Sequence, residues 1–180
     1  MTKQAKLLKL TLNLLLLCTT ASCQVNSDSS NSEIKIIENY DKIVHLSEIL
    51  TMKEFENKVI YIDIWGTGCS PCIAESKYLP ELKKRYKNKD VVFLYLAKPY
   101  GLFRISKWKK EIQQYNLEGY HIYMSEELKD NIMMEVPGIR QIGIPKYLLV
   151  NKQGKVAYPD APRPSSEKDL YKLIDQLLDE

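Results

Sequence analysis

Residues 58–72 read Lys58-Val-Ile-Tyr-Ile-Asp63-Ile-Trp65-Gly-Thr-Gly-Cys69-Ser-Pro-Cys72. Lys58 to Trp65 form an apolar, β-branched and aromatic run of strand length. Polar and apolar residues do not alternate within it, which is the pattern of a strand covered on both faces. Asp63 interrupts the run, and a carboxylate buried there carries a solvation cost that implies a purpose. Gly66-Thr67-Gly68 ends the strand. From Cys69 the spacing turns helical: Ile73, Ala74, Tyr78, Leu79, Leu82 and Tyr86 recur mostly at three- and four-residue intervals. Pro71 suits a first turn, where its missing N–H is not needed, and Pro80 predicts a kink further on. Lys83, Lys84, Arg85 and Lys87 read as solvated cations that complement the helix C-terminus.

Downstream, Asp90 to Ala97 is a second strand of the buried type, so the chain opens on a parallel strand–helix–strand unit. Ile105 to Tyr115 reads as an amphipathic helix, His121 to Tyr123 as a short strand and Glu126 to Met133 as a short helix. Tyr147 to Asn151 and Lys155 to Tyr158, joined through Lys152-Gln153-Gly154, make an antiparallel hairpin. A bend containing Pro159, Pro162 and Pro164 then offers Ser166 as N-cap of a last helix to Leu178. The pattern predicts an α/β fold of three layers, a central mixed sheet of four or five strands flanked by helices, in one domain over residues 34–180.

Lys3, Lys6 and Lys9 account for the whole formal charge of +3. The remainder of the chain is balanced and offers no basic face for nucleic acid. Those lysines open residues 1–22, in which an apolar run from Leu10 to Leu17 precedes small residues, as in a signal peptide. Thr20-Ala21-Ser22-Cys23 resembles a bacterial lipobox, with Cys23 as the lipidated residue. The Ser/Asn-rich stretch to residue 33 reads as a flexible tether. Of four cysteines, Cys18 then falls in the leader and Cys23 at the lipid site, leaving Cys69 and Cys72 as the pair in the domain.

A C-x-x-C at a strand-to-helix junction can close a tight disulfide, with Cys69 at the helix N-terminus, where backbone N–H groups favour a thiolate. Lowering a thiol pKa from about 8.5 to about 7 is worth roughly 2 kcal/mol and raises the thiolate fraction at neutral pH to about half. Cys69 would attack a partner and Cys72 would resolve the mixed disulfide. Other uses of the pair compete. Zinc needs two further ligands, and His45 and His121 stand alone in sequence. Haem attachment needs His where Ile73 stands. A structural staple of so short a ring removes little chain entropy, and a peroxidase would need a supporting Thr and Arg. Tyr95, Tyr100, Tyr115, Tyr120 and Tyr123 serve equally as core or as an aromatic surface for peptides.

Trp65-Gly-Thr-Gly-Cys69-Ser-Pro-Cys72 resembles the W-x-x-x-C-x-x-C active site of thioredoxin-like proteins, most closely the membrane-tethered TlpA/ResA-like oxidoreductases of bacterial envelopes, over residues 42–179. Asp63, six residues before Cys69, stands where thioredoxins carry a buried acid. Gly143-Ile144-Pro145 matches the cis-proline loop, and Asn151 to Lys155 resembles the family's D-x-x-G-K turn. The resemblance implies that Asp63 accepts the Cys72 proton through a water, that Pro145 is cis against the disulfide, and that Trp65, Gly68, Ser70, Pro71 and Ile144 contact the partner. Gly68 replaces the family's usual Trp and is expected to open the surface beside Cys69. The implied function is dithiol–disulfide exchange with protein thiols and disulfides, as a reductase fed by a membrane electron donor. It needs no cofactor beyond the cysteine pair, and the protein would act as a monomer on the periplasmic face of a bacterial membrane. A metal or partner chaperone of the same fold, without redox turnover, is the alternative.

Overall fold

The computed structural model describes residues 33–98 and 104–180. The signal peptide expected over 1–22, Cys23, the tether up to residue 32, and Tyr100 all lie outside the described residues. The strands are β1 (Ile34–Ile36), β2 (Val59–Gly66), β3 (Val91–Lys98), β4 (Gly119–Tyr123), β5 (Lys146–Val150) and β6 (Val156–Tyr158). The helices are α1 (Leu46–Leu50), α2 (Ser70–Ser76), α3 (Leu79–Tyr86), α4 (Arg104–Gln114), α5 (Glu126–Glu135) and α6 (Lys168–Leu178).

Every residue of β2 is buried, because the side chains of an extended strand point alternately to opposite faces and both faces here are covered. Val59, Tyr61 and Trp65 join a core with Leu79 and Leu82 of α3, Trp108 and Ile112 of α4, and Leu170 and Ile174 of α6. Ile60, Ile62 and Ile64 join the opposite core, with Leu46 and Ile49 of α1 and Leu128 and Ile132 of α5. The expected three layers follow from that alternation. The sheet runs β1-β4-β3-β2-β5-β6. β1, β4, β3 and β2 pair in parallel, whereas β5 is antiparallel to β2 and to β6. The sixth strand is β1, three residues too short to show a period, paired with Gly119–His121.

Two local expectations are corrected. Pro80 does more than kink a helix: α2 stops at Ser76 and α3 restarts at Leu79. Pro80 has no N–H to offer the Ser76 carbonyl, and its ring would crowd that oxygen. Ser166 does not cap the last helix. It lies in a 3-10 turn, Pro164–Ser166, and Glu167 occupies the cap of α6 with φ 33°.

His121 is wholly buried. Its Nε2 donates to the Leu117 carbonyl at 2.6 Å, and its ring stacks on Tyr95 with centroids 4.8 Å apart. Burial pulls its pKa down from 6.5 to about 4, more than the Leu117 contact raises it. The folded protein thus keeps a neutral imidazole where the unfolded chain is protonated. The stability this represents is present above pH 6.5 and lost as pH falls through about 4. His121→Phe keeps a ring against Tyr95 but removes the titration. In urea titrations, the wild type should lose up to about 3 kcal/mol relative to this variant between pH 7 and pH 4. A pH-independent difference would contradict a neutral buried imidazole.

Candidate active site

β2 delivers its C-terminal end to the start of α2 through the turn Thr67-Gly68. Cys69 caps α2: its N–H donates to the Gly66 carbonyl at 3.1 Å, and its sulfur accepts the Cys72 N–H at 3.2 Å. Pro71 lies in the first turn, as its lack of an N–H favours. Cys69 and Cys72 are joined by a disulfide, S–S 2.03 Å with Cα atoms 5.3 Å apart. Their surroundings differ. Gly68, Ser70 and Pro71 are exposed and Cys69 is half-buried, whereas Cys72 is only 6% exposed. Solvent therefore reaches the Cys69 residue more than Cys72.

Asp63 occupies an odd-numbered position of β2, so it points to the same face as Tyr61 and Trp65, the one covered by α2 and α3. It lies opposite Tyr95 of β3 and Tyr147 of β5 and is 7% exposed. With Trp65, Cys72, Ile73, Ser76, Tyr115 and Leu117 it lines a cavity of about 10 Å³, the space of about one water molecule. Among the described residues, its Oδ1 has no hydrogen-bond partner. Burial, and then the negative charge of Glu75, push the Asp63 carboxyl up to about 8, against the pull of Lys83. At neutral pH, with the disulfide closed, this carboxyl is mostly protonated.

Glu75 and Lys83 were not singled out as site residues in the sequence. Glu75, one turn past Cys72, is buried. It accepts from the Ser165 N–H and hydroxyl, each at 2.9 Å, tying α2 to the proline-rich bend. The three-residue step from Cys72 along one helix was the available signal. Lys83 is a correction to the solvated basic run. It follows Leu82 on the buried side of α3, so it is half-buried. Its ammonium donates to the Glu118 carbonyl and lies 5.3 Å from the Tyr95 ring centroid. Burial lowers its pKa to about 8, opposed by the Glu118 and Asp63 charges. Arg85, from the same run, pairs with Asp175 at 2.7 Å.

The residues expected to contact a partner separate. The Ile144–Pro145 bond is cis. Ile144 packs close over β2: a Cβ on Gly66 would sit 2.8 Å from its Cδ1. Lys98 Nζ donates to the Ile142 carbonyl at 3.2 Å, fastening β3 to this loop. Trp65 is buried, because its position on β2 turns it into the wall of the Asp63 cavity. Gly68 is exposed and adopts φ +72°, which a side chain resists. The Lys107 ammonium stands 3.0 Å from where a Cβ would be. Among the described residues, the tyrosines do not form a shared aromatic surface. Tyr95 and Tyr123 are buried, Tyr115 lines the cavity, and Tyr120 packs against Phe55 at 5.1 Å. Among the described residues, no group of three or more His, Cys, Asp or Glu side chains is arranged to hold a metal.

The Redoxin family model matches residues 41–174. Among curated proteins, the thiol-disulfide oxidoreductase ResA of Bacillus thuringiensis subsp. konkukian is 29% identical over 107 residues. The match covers 59% of this chain and 57% of that protein. The ResA of Halalkalibacterium halodurans is 24% identical over 109 residues, 61% of this chain and again 57% of the relative. Among solved structures, a Bacteroides vulgatus chain provisionally assigned as a thiol-disulfide oxidoreductase superposes with a TM-score of 0.54 at 34% identity, covering 71% of this chain and 83% of that one. The thioredoxin domain of a thiol-disulfide oxidoreductase from the same species gives 0.56 at 23% identity, covering 71% and 84%. That likeness speaks for the thioredoxin-like fold alone.

Asp63 makes a signed prediction. Its folded pKa of about 8 lies above the ordinary 3.8, so the stability gained by keeping it protonated is present at low pH and lost as pH rises through about 8. Asp63→Asn should therefore stabilise the oxidised domain more at pH 9 than at pH 5, by on the order of 5 kcal/mol at most. Denaturant unfolding at the two pH values measures it, and an equal gain at both would contradict a buried titrating carboxyl.

Proposed function

Given that the chain belongs to the Redoxin family, we propose that it is a thiol–disulfide oxidoreductase that exchanges two electrons with protein thiols and disulfides through Cys69 and Cys72. One observation carries this reading. The disulfide sits at a strand–helix junction with its outer sulfur accessible and its inner sulfur walled in beside a protonated carboxyl.

In the reduced protein, the Cys69 thiolate attacks one sulfur of a partner disulfide. A Cys69–partner bond forms as the partner's own S–S bond breaks, and the displaced sulfur leaves as a thiolate that takes a proton from water. Cys72 then passes its proton to the Asp63 carboxylate, through a water in the cavity both line, and attacks the Cys69 sulfur. The second partner sulfur departs, and the partner has gained the two electrons the cysteine pair has lost. Asp63 is left protonated, as its raised pKa favours beside the closed disulfide. Re-reduction reverses the sequence. A donor thiolate attacks Cys69, and Cys72 leaves as a thiolate to which Asp63 returns the proton. The donor's second thiolate then attacks the donor sulfur bound to Cys69, which departs as a thiolate and leaves the donor as a disulfide. Pro145 brings its backbone against the disulfide, and the Ile144 backbone pairs with the extended partner segment.

The same proposal places the protein outside the cytoplasm. The basic and apolar leader supports export, and the lipobox-like Thr20–Cys23 supports a lipid on Cys23 at the periplasmic face of a bacterial membrane. A membrane donor of electrons then makes the net direction reductive, with a monomer as the working unit.

Cys69→Ala should abolish reduction of insulin disulfides, and Cys72→Ala should accumulate mixed disulfides identifiable by mass spectrometry of the trapped partners. Full multiple turnover by Cys72→Ala would remove its resolving role. Tight binding of copper or zinc with no insulin reduction by the wild type would favour a metal chaperone instead.

A further inference from the structure

α4 carries a charged pair that the exchange steps leave unused. Glu111 is 7% exposed, yet its carboxylate is turned toward the active-site turn. Oε2 accepts the Gly68 N–H at 3.0 Å, and Oε1 lies 3.8 Å from the ammonium of Lys107, one helical turn earlier. A buried carboxylate persists where it is paired and hydrogen-bonded, and here one partner is the backbone immediately before Cys69. The positive φ of Gly68 belongs to the same arrangement. Lys107 is half exposed, and its Nζ stands over Gly68, 3.0 Å from a Cβ position there. With consecutive Cα atoms about 3.8 Å apart, that places the cation within roughly 8 Å of the Cys69 Cα, about one Debye length at physiological salt.

We propose that Glu111 and Lys107 are positioning residues for the reactive sulfur: Glu111 anchors the turn through Gly68, and its charge offsets part of the field of the Lys107 cation, which stands beside the Cys69 thiolate. This rests on Cys69 being the attacking residue. Among the described residues, the other ionisable groups packed about the turn and the disulfide include Asp63 on β2, Glu75 on α2, Lys83 on α3, Lys98 on β3 and Arg163 in the bend. Arg163 reaches Glu75 at 3.7 Å, and none of the five lies on α4, the one element the test changes.

The test is the pH profile of Cys69 alkylation by iodoacetamide in the reduced full-length protein, resolved by mass spectrometry of the Cys69 peptide. Lys107→Met leaves the Glu111 charge unbalanced and should raise the Cys69 pKa. Glu111→Gln keeps an oxygen for the Gly68 N–H but leaves the Lys107 cation unbalanced and should lower it. Each shift should be about half a unit, roughly threefold in thiolate fraction near neutrality, and Lys107→Arg should restore the wild-type profile. Shifts of the same sign, no shift, or a Lys107→Arg profile like that of Lys107→Met would overturn the proposal, since a purely structural role moves no titration in opposite directions. The outcome is separable from the functional reading, which fails instead if the wild-type pair does not interconvert between dithiol and disulfide in mild redox buffer.

Discussion

Burial of β2 on both faces is the constraint from which the rest follows. A strand hidden on one side has a solvent face to receive a polar residue. β2 has none, so any polar group placed on it must live inside the protein. Asp63 is that group. The parity that sends Ile60, Ile62 and Ile64 to one core sends Asp63 to the other, under the helix that begins with the cysteines. A one-residue slip in register would exchange the two sets. The long pairings to β3 and β5 on either side hold the register.

The charge arrangement under the disulfide is a balance between opposed groups. Glu75 raises the affinity of Asp63 for a proton, and Lys83 lowers it. The two modifiers are anchored by different neighbours, Glu75 by Ser165 and Lys83 by the Glu118 carbonyl. Three elements thus converge on one carboxyl, which keeps its proton at neutral pH while Cys69 and Cys72 are bonded.

Most of the architecture was legible in the chain. Long apolar runs marked β2 and β3, and the Lys152-Gln153-Gly154 turn marked the hairpin of β5 and β6, because period and turn chemistry are local properties. The cysteine pair and Asp63 were legible for the same reason, being fixed by their spacing along one strand and one helix. What stayed hidden depends on the approach of distant segments. Glu75 is defined by Ser165, ninety positions away, and Glu111 by Gly68 across the gap between α4 and the turn. Lys83 shows the opposite failure: a run of basic residues looks solvated, but on a helix successive members face different directions, and one of them turns inward. The burial of Trp65 was hidden too, because motif resemblance names a residue without saying which way the strand turns it.

The two outer strands of the sheet, β1 and β6, are each three residues long. An unpaired strand edge is a template on which another extended chain can add itself by backbone hydrogen bonds. A protein that meets incompletely folded clients, or that is crowded with its own copies on one surface, would suffer from long margins of that kind. Capture there would be sequence-blind and slow to release. Margins this short give a stray chain little to grip.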